Sequence, residues 1–276
     1  MTTALPECTP ERVHLRIIGP MTIIVADGER HGRALGAPKT RMLLELLVAE
    51  RGNAVPKDEL VDALWPGGRA LPADPARTLE HYMCVLRAAL TTDRQLGHRA
   101  IVTRPSSYLL DPVHFDIDAD HFTSLVRRAA TATSAERRRL LEAAVVLGDG
   151  DLFADSPLPA RAEPHRATHR ESVSWAHLVL ATDALSEFEL HRAVWHAEQA
   201  LRFTPCAEHA YHLLMVAQVG LGERDLSRLT HQRCVTTLSR DLGLAPTALT
   251  DMLRHAVEHG AGPAEMARLL VPVAAA

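Results

Sequence analysis

The sequence predicts an α+β winged helix-turn-helix domain at the N-terminus, followed by an all-α domain of tetratricopeptide-like helical repeats. Three observations lead to this prediction. Two β-rich runs open the chain, three amphipathic helical stretches and a second pair of β-rich runs follow, and beyond residue 116 only helical periodicity continues. A β meander, three helices and a hairpin, in that order, are typical of a winged helix.

The first strands follow from residue type. Residues 13–18 and 21–25 are rich in β-branched side chains, and Gly19-Pro20 separates the two runs. Asp27-Gly28 has the composition of a tight turn. These features together predict a small β meander.

Three helices are expected next, over residues 38–50, 57–65 and 75–90. Gly52-Asn53 ends the first, the second lies between proline residues, and Asp74 is placed to cap the third. Apolar side chains recur at helical spacing in the third helix. They predict a buried stripe formed by Leu79, Met83, Leu86 and Leu90.

A hairpin is expected after the helices. Residues 100–104 and 108–110 are short enough to be two strands around a Pro105-Ser106-Ser107 turn. The winged domain is therefore placed at residues 13–112. Trp65 and Tyr108 each end an apolar stripe, which favours a core position over base stacking.

The second half is predicted to be helical throughout. Small residues at 193, 197 and 200, followed by Pro205, have the spacing of a tetratricopeptide repeat. We place this domain at residues 116–260 and a C-terminal tail at 261–276. Helices are expected over about 119–132, 134–147, 161–186, 188–203, 206–221, 223–240 and 246–259.

Composition limits the class of protein. The chain has 276 residues, 47% apolar and 23% charged, which is typical of a folded protein with two domains. It has no apolar run of about 20 residues and no signal-peptide pattern, so a cytoplasmic protein without membrane contact is expected. The four cysteines are far apart, which disfavours zinc knuckles and disulfides. The net charge is −4, but the stretch Arg77–Arg104 is basic.

Four segments carry a family resemblance. GAPKTRMLLELLV, VPKDELVDALWP, ARTLEHYMCVLRAAL and TRPSSYLL, in this order, resemble the response-regulator-type winged helix of the SARP family, the actinomycete antibiotic regulators. The second half, from FDIDADHF to LSRDLGLAPT, resembles the bacterial transcriptional activation domain of those proteins. The resemblance covers roughly residues 13–260.

The resemblance implies a cytoplasmic, nucleoid-associated activator of a secondary-metabolite gene cluster. It implies binding to direct repeats in double-stranded promoter DNA near the −35 region, with self-association on those repeats. It also implies contact with RNA polymerase holoenzyme through the sigma factor and the C-terminal domain of the alpha subunit. No nucleotide-binding loop is found, and we expect neither an enzyme nor a cofactor or metal.

The third helix supplies the main candidate DNA contacts. With its apolar stripe inward, its outward face presents Arg77, Thr78, His81, Cys84 and Val85. Arg77 is expected to donate in pairs to guanine, and His81 to reach a base edge or a phosphate. Arg87, at the flank of the helix, is expected on a phosphate. The alternative for each is a solvated surface position.

Further candidates lie outside the third helix. Thr103, Arg104 and Ser106 belong to the hairpin, and Lys39 and Arg41 to the start of the first helix, where they are expected near the DNA backbone. The chain departs from the family at two positions. Val85 stands where members carry a basic residue, and Ser107 stands where a glycine is usual.

Two other classes of function remain as alternatives. The C-terminal sequence HAVEH, residues 255–259, has the H-x-x-E-H spacing of inverted zincins, but such spacing arises readily by chance in a chain with 16 histidines. The helical repeats are also compatible with a protein-interaction scaffold, or with a regulator that senses a small molecule in its repeat domain.

Overall fold

The computed structural model describes residues 12–25, 28–31, 37–91, 93–156 and 159–270, which pack into two compact units. The first unit contains the described residues up to Thr123 together with Asp149–Ala167. The second contains Ser124–Gly148 and the residues from Thr168 onward. The first unit is thus built from two separate stretches of chain and extends beyond the predicted limit at residue 112. The tight turn predicted at Asp27-Gly28 lies partly outside the described residues.

In its described residues, the first unit has seven short strands and four complete α-helices. The strands are β1 Val13–Arg16, β2 Thr22–Val25, β3 Gly28–His31, β4 Ala54–Pro56, β5 Ile101–Thr103, β6 Ser107–Leu110 and β7 Phe115–Ile117. The helices are α1 Pro38–Ala49, α2 Lys57–Leu64, α3 Pro75–Leu90 and α4 Arg94–Ala100, after which α5 spans Asp118–Ala129. This architecture confirms the predicted winged helix and its three main helices.

A four-stranded sheet with the order β3-β2-β1-β7 contains the predicted meander. Its β7 strand pairs in parallel with β1, with Val13 opposite Phe115 and Leu15 opposite Ile117. The prediction that no strand occurs from Asp116 onward was wrong, because β7 extends to Ile117. Three residues are too few to show alternation, and β7 is defined by its long-range partner instead.

A three-stranded sheet with the order β4-β6-β5 contains the predicted hairpin. We call β5, β6 and the intervening residues 104–106 the wing. The edge strand β4, which pairs with β6, was not predicted, because Ala54–Pro56 is short and carries a proline. Helix α4, which begins after the cap residue Asp93, was also not predicted.

The core of the first unit joins the apolar sides of the helices to both sheets. Trp65 and Tyr108 are buried, with 4% and 2% of their surface exposed, which confirms their predicted core positions. The stripe predicted for the third helix is also buried, and its four members are Leu79, Met83, Leu86 and Leu90.

Residues 149–156, which we call the return segment, pack on the first sheet. Backbone hydrogen bonds join Gly19 N to Asp151 O at 2.8 Å and Phe153 N to Ile17 O at 2.8 Å. Phe153 is buried, and its φ of 49° lies in the left-handed region that a residue with a Cβ seldom adopts. Arg166 Nε donates to Leu152 O at 2.8 Å. These contacts explain why residues 149–167 belong to the first unit.

The return segment also reaches a buried carboxylate of α1. Ser156 Oγ donates to Glu45 Oε1, and Glu45 is 3% exposed. Burial raises the pKa of Glu45, and the Ser156 hydrogen bond and the charges of Arg166 and Arg41 oppose that increase.

The second unit consists of helices. They are the end of α5, α6 Ser134–Leu147, α7 Pro159–Ser186 from its Thr168 onward, α8 Leu190–Phe203, α9 Glu208–Gly220, α10 Arg224–Leu242, α11 Ala248–Glu258 and α12 Pro263–Leu270. The small residues Ala193, Ala197 and Ala200 of α8 are fully buried, so α8 and α9 pack closely. This arrangement confirms the predicted array of helical hairpins. No helix among the described residues is long and apolar enough to cross a membrane.

The C-terminal tail predicted at residues 261–276 was wrong for residues 263–270. Residues 263–270 form α12, with Pro263 at its first turn and Met266 fully buried. Met266 shares a cluster with Met215, Leu253 and Val257, so this helix belongs to the core of the second unit. The last six residues, 271–276, lie outside the described part of the chain.

The second unit buries several histidines. His177 Nδ1 lies 3.0 Å from His196 Nδ1, and His212 Nε2 lies 2.6 Å from Thr250 Oγ1. Burial, with the nearby charge of Arg192, lowers the pKa of His196 to about 4. Burial also lowers the pKa of His212 to about 4, against the opposing effect of Glu208. Both imidazoles are therefore neutral at pH 7.

Candidate nucleic-acid interface

Helix α3 is fixed by its first turn and by its apolar stripe. Asp74 Oδ1 accepts a hydrogen bond from Arg77 N at 2.9 Å, and Thr78 Oγ1 donates to Asp74 O at 2.8 Å. This cap satisfies a backbone N–H that a free helix end would leave exposed. Since the stripe beginning at Leu79 faces the core, the opposite face of the helix must point outward.

The outward face of α3 carries the side chains predicted for it. Arg77, His81 and Cys84 are exposed, and Thr78 and Val85 are half-buried. Arg77 and His81 are four residues apart, so they lie one above the other on one side of the helix. Among the described residues, the Arg77 guanidinium has no intramolecular partner.

The wing tip is the second exposed element. Arg104, Pro105 and Ser106 are exposed, and Arg104 N donates to Ser107 O at 2.9 Å across the turn. Ser107 is buried and opens β6 in an ordinary strand conformation. Its φ is not positive, so the turn does not require the glycine usual in the family.

Lys39 and Arg41 are half-buried, and the polar ends of their side chains already have acceptors within the protein. Lys39 Nζ donates to Leu64 O at 2.7 Å and lies 4.1 Å from the centre of the Trp65 ring. Burial lowers the pKa of Lys39. Arg41 Nη2 lies 3.0 Å from Asp155 Oδ2 in the return segment. Both acceptors come from parts of the chain that are distant in sequence, so the sequence alone does not reveal them.

Arg87 and Thr103 also bond to each other, although Thr103 is exposed and Arg87 half-buried. Arg87 Nη2 donates to Ile101 O at 2.6 Å and to Thr103 Oγ1 at 2.7 Å. The guanidinium is half-buried, and burial lowers its pKa, although an arginine stays charged. The phosphate contacts predicted for these two residues therefore require groups that already have protein partners.

Lys57 is a residue of this surface that sequence reasoning missed. Its backbone N donates to Ser106 O at 2.9 Å, and its Nζ lies 5.4 Å from the centre of the Tyr108 ring. The start of α2 is thus joined to the wing tip. The sequence signal was the basic residue directly after Pro56 at a helix start.

The H-x-x-E-H segment lies at the end of α11. The rings of His255 and His259 stack with centroids 3.9 Å apart, and Glu258 is bound by Arg254 Nη1 at 2.9 Å. No group of three or more metal-ligating side chains converges in the part of the chain that the structure describes. The carboxylate that a zincin would use as a base is therefore engaged in an ion pair.

The arrangement combines a capped helix, whose outward face carries the exposed Arg77, and a hairpin with an exposed arginine at its tip. A helix of this kind can enter the major groove of DNA while the hairpin lies on the neighbouring backbone or minor groove. The acceptors on guanine and on phosphate match the donors of Arg77 and Arg104.

Both halves of the chain match known families of protein domains. Residues 117–258 match the bacterial transcriptional activator domain. Residues 33–110 match the domain described as "Transcriptional regulatory protein, C terminal".

Relatives of similar sequence are named as regulators. The transcriptional regulatory protein MoaR1 of Mycobacterium tuberculosis is 24% identical over 254 residues, which are 90% of this chain and 80% of MoaR1. The transcriptional regulator RedD of Streptomyces coelicolor is 27% identical over 247 residues, which are 86% of this chain and 68% of RedD.

A solved structure of similar fold is that of Mycobacterium tuberculosis EmbR in complex with a low-affinity phosphopeptide. The TM-score is 0.73 at 22% sequence identity, and the match covers 94% of this chain and 69% of EmbR. At this identity the likeness concerns the fold.

Proposed function

Since this chain belongs to the SARP family of DNA-binding transcriptional regulators, which carry a bacterial transcriptional activator domain, we propose that it activates a secondary-metabolite gene cluster. The observation that carries the proposal is the free outward face of α3 beside an exposed wing tip. The sequence-specific step is the insertion of α3 into the major groove of promoter DNA.

Each side chain on the outward face has a proposed partner. Arg77 donates its paired N–H groups to guanine O6 and N7, and His81 contacts a base edge or a phosphate. The Thr78 hydroxyl hydrogen is already donated to Asp74 O, so Thr78 contacts DNA through its methyl group. Cys84 and Val85 add apolar contacts, for which a thymine methyl group is the matching partner.

The wing adds contacts that position the protein without selecting a sequence. Arg104 donates to a phosphate or enters the minor groove, and Ser106 donates to a phosphate. Because the target sites in this family are direct repeats, two copies bind head to tail on DNA. Lys39, Arg41, Arg87 and Thr103 are left out of this interface because their polar groups have intramolecular partners.

The test of DNA binding compares Arg77→Ala with Arg139→Ala. Arg139 is an exposed arginine on α6, so the control removes the same charge far from α3 in sequence. Promoter fragments are found by genome-wide mapping of bound DNA, and binding is then measured at several salt concentrations. We expect Arg77→Ala to weaken specific binding by about 1–3 kcal/mol and the control to leave it unchanged.

Two results would contradict the proposal. Binding without salt dependence, or none at all, would favour a protein-interaction scaffold, because phosphate contacts release counterions. Equal binding by Arg77→Ala and the wild type would show that α3 does not enter the groove as proposed.

Activation requires a second surface, which we place on α8 and α10. Arg233 on α10 donates to Glu198 on α8 at 2.9 Å, so the outward faces of the two helices adjoin. Trp195 and Leu229 precede this ion pair by about one turn and are 53% and 58% exposed. We propose that these two exposed apolar side chains, on adjoining helices, form one interaction surface.

We propose that this surface contacts RNA polymerase holoenzyme, through its sigma factor or the C-terminal domain of its alpha subunit. The test is transcription in vitro with purified polymerase from a promoter carrying two direct repeats. Moving one repeat by about 5 base pairs turns it to the opposite side of the helix and should abolish activation. Activation that survives this change would contradict the proposed arrangement.

A further inference from the structure

The side chain of Arg87 binds to the outer edge of the wing, which is formed by β5. In the sheet order β4-β6-β5, strand β5 is an edge strand, and an edge strand presents backbone groups without a strand partner. The carbonyl of Ile101 is satisfied from α3 instead, because Arg87 Nε and Nη2 donate to it at 3.2 and 2.6 Å. The same Nη2 donates to Thr103 Oγ1 at 2.7 Å.

These bonds span the whole of β5, from its first residue to its last. The planar guanidinium reaches both acceptors at once, and a lysine ammonium would act only as a point donor. Helix α4 also packs closely against the base of the Arg87 side chain, since a Cβ placed on Gly97 would lie only 3.4 Å from Arg87 Cβ. Arg87 is therefore fixed between α3, α4 and β5.

The other edge of the wing is held by backbone contacts. Strand β4 pairs with β6, with Pro56 opposite Ser107, and Lys57 N donates to Ser106 O at 2.9 Å. The connection from the wing to α2 thus uses the main chain. The connection to α3 through Arg87 depends on a side chain that a single substitution removes.

We propose that Arg87 is a positioning residue, which sets the distance and angle between α3 and the wing tip without touching DNA. This inference rests on the proposed function. Arg104 directly follows β5, so a shift of β5 relative to α3 displaces the Arg104 guanidinium from its DNA partner. A binding site loosened by about 1 Å loses much of its affinity.

A double-mutant cycle tests the proposal. Arg87→Ala, Arg104→Ala and the double variant are compared on the mapped promoter DNA, with Arg139→Ala as the control for charge. If Arg87 acts through the wing, the double variant binds within about twofold of Arg104→Ala, because the second change removes nothing further. The salt slope, which is the change in the logarithm of the binding constant with the logarithm of the salt concentration, should also be the same for the double variant and Arg104→Ala.

Additive losses would overturn the proposal. If the double variant loses the product of the two single effects and its salt slope falls by about one more, Arg87 contacts a phosphate directly. Thr103→Val is the companion variant, since it removes one acceptor and no charge. It should weaken the binding of the wild type and leave that of Arg104→Ala unchanged, and wild-type affinity for Thr103→Val would contradict the role of this hydrogen bond.

A measurement without DNA separates this inference from the proposed function. Peptide-resolved hydrogen exchange of the full chain should show faster exchange over residues 101–107 in Arg87→Ala, with α1 unchanged. Unchanged exchange in the wing would refute the positioning role of Arg87 even if DNA binding is confirmed. Absence of DNA binding by the wild type would refute the proposed function, whereas the exchange measurement would still test whether Arg87 holds the wing.

Discussion

Replacing Met266 with alanine tests whether α12 belongs to the folded core. The Met266 side chain is fully buried against α9 and α11, in a cluster that includes Met215, Leu253 and Val257. Truncation removes the γ-methylene, the sulfur and the terminal methyl group and leaves a cavity. Such substitutions cost about 2–5 kcal/mol.

The position of α12 near the end of the described chain limits this cost. Helix α12 can separate from the second unit when its packing is impaired. The loss in free energy of unfolding therefore cannot exceed the free energy with which α12 packs on that unit. We therefore expect the lower part of the range, about 2–3 kcal/mol. For a protein of this size that loss corresponds to a decrease in Tm of about 4–12 °C.

Urea unfolding followed by circular dichroism and by tryptophan fluorescence measures the effect. Trp175 and Trp195 both belong to the second unit and report on it. Glu265→Ala is the matched control, because Glu265 is the exposed neighbour of Met266 in the same helix. If both variants unfold within about 0.5 kcal/mol of the wild type, α12 is not docked and the predicted tail is correct.

Three further outcomes are expected. The pKa of His196 is lowered to about 4 in the folded state, so the unfolded chain binds more protons as the pH falls from about 6.5 to 4. Stability measured by urea unfolding should therefore decrease over this range, and His196→Gln should reduce the slope. Trp195→Ala with Leu229→Ala should lower transcription in vitro at unchanged DNA affinity; equal transcription would exclude this surface. Lys39→Met should leave the salt slope of DNA binding unchanged, whereas a slope reduced by about one would restore Lys39 as a phosphate contact.

The parts of the fold that depend on local pattern were predictable. The cap at Asp74 and the stripe beginning at Leu79 need only neighbours in sequence, and the structure confirms both. Strands β4 and β7 have three residues each and become strands by pairing with distant partners. The tail was misassigned because residues 271–276 look unstructured by composition, whereas Pro263 and Met266 carry a helical pattern.

The candidate site was predictable in outline and less so in detail. Helical periodicity separates the outward face of α3 from its core face, so Arg77 and His81 could be assigned from sequence. The hydrogen-bond partner of a lysine or arginine could not be predicted in this way. Lys39 and Arg87 bond to backbone carbonyls, which every residue carries and which no sequence pattern marks. Arg41 meets Asp155 from a part of the chain 114 residues away.

The return segment has a consequence for the order in which the protein folds during synthesis. The first unit needs residues up to 167, so the ribosome must also make α6 before that unit can close. At about 5–20 residues per second, the stretch from residue 124 to 167 delays closure by several seconds. Until then Glu45 lacks its Ser156 partner, and the surface beside Ile17 and Gly19 stays uncovered. The nascent chain therefore cannot complete its DNA-binding unit before part of its activator domain has emerged.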